Sequence, residues 1–370
     1  MSSPDVVVVG GGVAGCAVAY ELAKAGAKVT IVERDGIGSH ASGFSWGGLY
    51  PTMGAGIPGP VLEPARRALE RHMELHTLLR EETGIDSGLR QVESISLAAD
   101  ETGLADVEKD CEWQRSEGFD AEVISARDLY AMEPALAPGL AGGLLQRSHY
   151  ELDSYLFTLS LARAVEKNDG RVIRDEVTGI SVNHGRADGV FTSDGGLVPA
   201  GAVVLATGPW SSEGTDALPR LPLKPMKGEI LRLRLPGNDF HHRVGMNGRN
   251  VGRKPDGLVW VGTYEWERGF DESPRNEGRE HILSGALAYA PSLKDAELVQ
   301  QTACLRPVAA DGVPIVGPLD TADNLFAVSG AGKKGVLLST VMAEMAAALV
   351  LGDPDKAPVP QEFSTARFGL

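Results

Sequence analysis

The chain has 370 residues, a formal net charge of −15, 23% charged residues and 43% apolar ones. That acidic balance excludes a basic nucleic-acid-binding face and disfavours anionic membrane surfaces. No apolar run approaches the length of a bilayer span, and the glycine-rich apolar start lacks the basic leader of a signal peptide. The three cysteines are an odd number for a disulfide framework, so cytoplasmic residence is the expectation. The length predicts two domains.

Val6-Val7-Val8-Val9 reads as a central parallel strand buried on both faces. It runs into Gly10-x-Gly12-x-x-Gly15, with Val13 and Ala14 inside the motif, and a helix is predicted over Ala14–Ala25. The first glycine suits a tight turn, the second lets a pyrophosphate approach, and the third lets the helix pack on the strand. A second apolar strand ends in Glu33-Arg34, which places an acid to take a ribose hydroxyl. Strand, glycines, helix and acid together predict a dinucleotide site, with the diphosphate at the helix N-terminus. Residues 36–49 follow without a regular period and are rich in small residues. They read as a ligand-lining loop, because they leave the C-terminal end of a parallel strand.

A helix is predicted over Glu63–Glu82, stopped by Gly84. His72 and His76 share one of its faces, but no Glu follows the first His as in zinc proteases. They are expected to be surface histidines, and no metal site is expected. A strand at 91–98, helices near 104–117, 125–132 and 155–168, and a meander of short strands from 171 to 193 come next. Ala202-Val203-Val204-Leu205 is another buried strand, continuing into Ala206-Thr207-Gly208-Pro209-Trp210-Ser211. An apolar strand ending in Ala-Thr-Gly so far downstream is more typical of flavoproteins than of nicotinamide dehydrogenases.

Strands are predicted over 221–235 and 257–264. Phe240–Asn250 between them reads either as a hairpin or as a plain connection. A helix is expected over 277–290. The last segment holds Cys304-Leu305-Arg306-Pro307, Asp311-Gly312-Val313-Pro314 and a strand at 325–328. Then Ser329-Gly330-Ala331-Gly332-Lys333-Lys334-Gly335-Val336-Leu337 opens a helix over Thr340–Leu351. Helix dipole and lysine charge add there, so this end should hold negative charge.

The order of these motifs resembles the D-amino-acid oxidase superfamily of flavoproteins, in its glycine oxidase and monomeric sarcosine oxidase branch. The resemblance rests on Gly10-x-Gly12-x-x-Gly15, Glu33-Arg34, Ser42 to Gly48, Thr207-Gly208-Pro209-Trp210, Leu305-Arg306-Pro307 and Gly330 to Leu337, and it covers the whole chain. It implies an α/β, Rossmann-like FAD-binding domain and a mixed-sheet substrate domain. The expected division is 1–84, 145–217 and 306–370 against 85–144 and 218–305. It implies FAD held by the glycine motif through its diphosphate, by Glu33 through its ribose and by the Val177 backbone at the adenine. Ser42, Gly47 and Gly48 on one side, and Gly332, Lys333, Lys334, Gly335, Val336 and Leu337 on the other, would flank the flavin ring. Lysines there would stabilise the reduced ring, a role that falls on Lys333 and Lys334, with Lys334 the catalytic candidate.

An arginine just before the final flavin segment grips the substrate carboxylate in such proteins, and Arg306 stands there. Cys304 occupies the context of the cysteine that bonds to flavin in monomeric sarcosine oxidase, whereas glycine oxidase lacks that bond. Both covalent and non-covalent FAD stay open. One departure is plain. Trp260 stands where sarcosine oxidase carries the lysine that assists reaction with oxygen. With Trp46 and Tyr264 it is instead a candidate for shaping the substrate pocket.

The function so implied is oxidation of the C–N bond of an amino acid or secondary amine to an imine, by hydride transfer to flavin N5. Reoxidation by O2 would give H2O2. Three alternatives stay open. One is a dehydrogenase of an amino acid or 2-hydroxy acid that passes electrons to a quinone or a protein. Another is a tailoring oxidase acting on a larger amine. The third is a non-catalytic flavin- or NAD-binding module.

Overall fold

The computed structural model describes residues 5–213, 218–237 and 240–370. The chain divides into two compact units, one of residues 1–89, 152–226 and 305–370 and one of residues 90–151 and 227–304.

The first unit is built on a six-stranded sheet whose centre is the valine strand β1 (Val6–Val9). β1 pairs in parallel with Val29–Glu33 on one side and Ala202–Leu205 on the other. A strand flanked on both sides and covered on both faces must be apolar throughout, and all four valines are buried. Leu325–Ser329 extends the sheet in parallel, and Ile315–Pro318 closes that edge in antiparallel. The opposite edge is Arg171–Arg174, parallel to Val29–Glu33. This corrects the expected meander: residues 171–174 belong to the main sheet. The three-stranded antiparallel sheet begins only at Val177–Asn183 and continues through Arg186–Thr192 and Leu197–Pro199.

Four helices of this unit, Val13–Lys24, Leu62–Thr83, Ser154–Lys167 and Gly335–Val350, pack on one another. Arg71 ties three of them together, at 2.7 Å from Glu21 and 3.2 Å from Glu344. The last helix starts at Gly335, not at Thr340: a glycine at a helix's first position is tolerated where its backbone turns out of the preceding 3-10 turn, Gly332–Lys334. Residues 36–49 are largely irregular, as expected, apart from a single helical turn at Ala41–Phe44 and the two-residue strand Gly48–Leu49.

The histidine pair is not a surface pair. His72 is 1% exposed, and its Nε2 donates to the carbonyls of Val336 and Leu337, each at 3.0 Å. His76 is half-buried with Nδ1 3.3 Å from the Ser87 hydroxyl. Burial lowers the His72 imidazole to about 4 against an ordinary 6.5, so it is neutral in the fold. The unfolded chain takes up that proton first. Stability from this site is therefore complete above about pH 6.5 and falls progressively toward pH 4, by about 2 kcal/mol at pH 5. Urea unfolding at pH 7 and pH 5 should show that loss in the wild type and a shallower one in His72→Gln. Equal slopes would show that His72 does not titrate on unfolding.

The second unit holds a long sheet. Its path runs through Leu223–Arg234, Val259–Glu267, Arg249–Arg253, Arg243–Met246, Arg90–Ala98 and Gly142–Glu151, with Ala121–Ser125 also on the last. Phe240–Asn250 thus resolves into one strand and the turn of a hairpin, Arg243–Met246 against Arg249–Arg253. One sheet face carries Ile95, Leu145, Val244, Val251 and Val261, buried against Ile282 and Ala286 of the helix Asn276–Leu287. Part of the other face is covered by the helix Glu101–Ser116, whose Val107 and Cys111 meet Ala98 and Leu144.

Candidate functional site

The glycine motif forms a strand–turn–helix in the first unit. Gly10 has φ +109°, outside the range of ordinary side chains, and a Cβ there would overlap the Ala206 carbonyl of the neighbouring strand. A Cβ at Gly15 would overlap the Gly10 carbonyl, so only hydrogen allows the helix this close to the strand. Glu33 braces the turn: Oε2 accepts from the Gly11 N–H at 2.6 Å, and Oε1 from the Asp35 N–H at 2.8 Å. The Ser42 hydroxyl accepts from the Val13 N–H at 2.9 Å, which pins residues 36–49 to the first turn of the helix. Gly12 is the N-cap, Ala14 lies in the first turn, and no acidic side chain occupies that turn. Side-chain-free glycines at a helix start whose first turn carries no acidic residue fit a diphosphate.

Other expected residues gather around this turn. The Asp175 N–H donates to the Glu33 carbonyl at 3.0 Å, bringing Val177 close by in sequence to the end of that strand. Arg34 lies over the Trp210 ring at 4.7 Å, and the His40 ring meets Trp210 edge-on at 4.6 Å. Thr207 and Ser211 share a hydroxyl hydrogen bond of 2.5 Å, and the Ser329 hydroxyl donates to the Gly208 carbonyl at 3.4 Å. Gly47 accepts from the Leu152 N–H at 3.0 Å; Trp46 before it is half-buried, and Gly48 starts a short strand.

A second convergence lies in the same unit. Val308, at the end of the strand Glu297–Ala309, pairs with Ala331, and the Ala309 N–H donates to the Gly330 carbonyl at 3.2 Å. This sets the strand that carries half-buried Arg306 beside the turn Gly332–Lys334. Cys304 and Arg306 are two apart on that strand and so point to one side of it; the Cys304 thiol is buried and takes part in no disulfide. Lys334 is buried, and its Nζ donates to the Tyr50 carbonyl at 2.9 Å. Gly54 approaches so closely that a Cβ would lie 2.8 Å from Lys334 Cε. Burial lowers the Lys334 ammonium to about 8. Lys333, its expected partner in holding charge, is exposed, so the two lysines occupy different environments. Val336 and Leu337 are buried, with their carbonyls on His72. The sequence reading did not find His72 in this role. Its signal was the stripe Ala65, Ala68, Leu69, His72, Leu75 and Leu79, all buried on one helix face.

Residues 5–349 match the DAO family, described as FAD dependent oxidoreductase. The chain belongs to that family. It is similar to the glycine oxidase of Pseudomonas aeruginosa, 29% identical over 362 residues that cover 97% of this chain and 98% of the relative. Among solved structures it resembles the glycine oxidase of Geobacillus kaustophilus, with a TM-score of 0.88, 28% identity and coverage of 100% and 99%. It also resembles the iminodiacetate oxidase of Chelativorans sp. BNC1, with a TM-score of 0.86, 26% identity and coverage of 97% and 98%. The expected Rossmann-like FAD-binding fold is therefore correct.

Trp260 and Tyr264 lie in the second unit, on the strand Val259–Glu267. The Trp260 ring is approached by Arg232 at 4.2 Å and Lys254 at 5.3 Å, and its N–H donates to Asp256 at 3.0 Å. Tyr264 stacks on His281 at 3.7 Å between ring centres. Among the described residues no helix is long and apolar enough to cross a membrane.

Proposed function

We propose that this FAD-dependent oxidoreductase oxidises the C–N bond of an amino acid or secondary amine to an imine, with O2 as the acceptor and H2O2 as the product. The observation that carries this reading is the placement of Arg306 beside the Gly332–Lys334 turn. A guanidinium fork there suits a carboxylate, and a buried ammonium supports negative charge close to it. The first unit is the FAD-binding domain in this reading, and the second is the substrate domain. Gly10, Gly12 and Gly15 leave room for the diphosphate, Glu33 takes a ribose hydroxyl, and the Val177 backbone takes the adenine. When bound, FAD supplies the hydride acceptor. The chain's own part is to orient the substrate through Arg306 and to hold positive charge at Lys334 Nζ.

Glycine, sarcosine and iminodiacetate, mixed anaerobically with the yellow protein, should each be tested for loss of visible absorbance. Recovery in air with release of peroxide is the expected outcome. No loss with any amine would overturn the oxidase reading. Recovery only with a dye acceptor would favour a dehydrogenase, the reading toward which Trp260 points. Acid precipitation adds a separate result. A yellow supernatant is expected, with Cys304 a buried core thiol; a yellow pellet would assign Cys304 as a covalent tether.

A further inference from the structure

His72 is the one polar side chain that the helix Leu62–Thr83 buries. A leucine there would pack without desolvating a polar group, so an imidazole at 1% exposure points to a use of its nitrogens. Both groups that its Nε2 faces are carbonyls, those of Val336 and Leu337 at 3.0 Å, so Nε2 carries the proton. Its Nδ1 is buried and has no hydrogen-bond partner among the described residues. The Phe157 ring lies against the imidazole, with 4.8 Å between ring centres, and restricts the plane in which the N–H points.

The two carbonyls do not depend on His72 for a partner. Val336 and Leu337 lie in the first turn of the helix Gly335–Val350, where a carbonyl accepts from the N–H four residues on. The groups left open at such an end are the N–H groups. The bonds from His72 therefore rescue no orphaned acceptor; what they add is placement. The two helices are joined at three levels. Arg67 and Arg71 hold Glu344 at 2.7 and 3.2 Å, the Thr340 hydroxyl donates to the Ala68 carbonyl at 3.3 Å, and His72 holds Val336 and Leu337. His72 forms the level next to the turn Gly332–Lys334. Lys334 on that turn is tied separately, through Nζ to the Tyr50 carbonyl. The open amides of the helix start and the Lys334 ammonium both present positive charge, and backbone pinned by His72 sets their direction.

We propose that His72 is a positioning residue for the flavin: its N–H fixes the backbone of residues 332–337, so that their amides and Lys334 keep positive charge on the ring when it is reduced. The proposal rests on the reading in which this segment flanks the flavin, and it adds a residue that acts through that segment.

The test compares wild-type, His72→Gln and His72→Leu holoenzymes, each checked for flavin content and melting temperature. Glutamine reaches about as far as the imidazole Nε2 and keeps an N–H donor; leucine fills the space without one. Two measurements follow the ring's electron affinity rather than stability. They are the flavin midpoint potential against reference dyes and the Kd for sulfite, read as loss of visible absorbance. His72→Leu should weaken sulfite binding about tenfold, the scale of one lost hydrogen bond. It should also lower the two-electron potential by the same factor in K, about 30 mV. His72→Gln should stay within about threefold of wild type on both, because the donor is kept. A folded, yellow His72→Leu with wild-type potential and sulfite affinity would overturn the proposal, and so would equal shifts in the two variants. Should His72→Leu lose its flavin, His72→Asn takes its place. Its amide is too short for both carbonyls, so it should shift both measurements as leucine would; unshifted values would again overturn the proposal. If no amine bleaches the flavin while the leucine shift stands, amine oxidation fails and the role of His72 survives. If amines bleach it and neither measurement moves, the role of His72 fails alone.

Discussion

Gly15→Ala should yield a protein that purifies with less than about a tenth of the wild-type flavin. The added methyl would overlap the Gly10 carbonyl and come within 3.2 Å of Ala206 Cβ. A flexible side chain could yield, but a main-chain carbonyl at the end of β1 cannot, because β1 is held by the strands on both of its sides. The helix Val13–Lys24 must therefore move off the strand. Forced overpacking of this kind typically costs about 1–3 kcal/mol. The displacement also carries away the first-turn amides on which a diphosphate would rest. Gly103→Ala is the matching control: a Cβ there meets its nearest neighbour at an ordinary 3.5 Å, in the helix Glu101–Ser116. Alanine is favoured over glycine inside a helix by about 1 kcal/mol, so this variant should keep its flavin and melt no lower than the wild type. The flavin-to-protein absorbance ratio after gel filtration checks both. Full flavin occupancy in Gly15→Ala would mean that the close helix–strand contact is not what forms the site.

The features that were readable from sequence share one property: their cause is local. Val6–Val9 and Ala202–Leu205 are continuous apolar runs, and such runs belong in a sheet buried on both faces. Ser125 caps its helix by accepting from the Asp128 N–H, and Gly84 ends another in the left-handed region. What was misread depended on distant partners. Arg171–Arg174 looks like the short strands after it, and only its pairing with Val29–Glu33 sets it in the main sheet. Gly142–Glu151 escaped notice because it begins with two glycines and carries Gln146 and Arg147, with no apolar alternation. It is nonetheless fixed between Arg90–Ala98 and Ala121–Ser125. The lysine pair shows the same limit at the site. Adjacent residues of one chemistry were given one role, and the fold buries Lys334 under Tyr50 and Gly54 while leaving Lys333 exposed.

Arg306→Ala should lower kcat/KM for glycine by about a hundredfold or more, chiefly through a higher KM. A charge-assisted hydrogen bond contributes about 1.5–3 kcal/mol, and a guanidinium fork offers two in parallel to one carboxylate. The effect is expected in KM because a carboxylate keeps its charge throughout C–N oxidation, so its anchor binds ground state and transition state alike. Some loss of kcat should accompany it where the anchor also aligns the reacting carbon. Arg306→Lys separates charge from geometry: it keeps the cation and loses the planar fork, and should fall between wild type and alanine. An amine without a carboxylate supplies the decisive comparison, since its kcat/KM should differ little between wild type and Arg306→Ala. Equal losses on amines with and without a carboxylate would make Arg306 a support for the strand beside Ala331 rather than a substrate anchor. Unchanged kinetics on glycine would remove it from the site and leave the buried Lys334 of the Gly332–Lys334 turn as the candidate cation there.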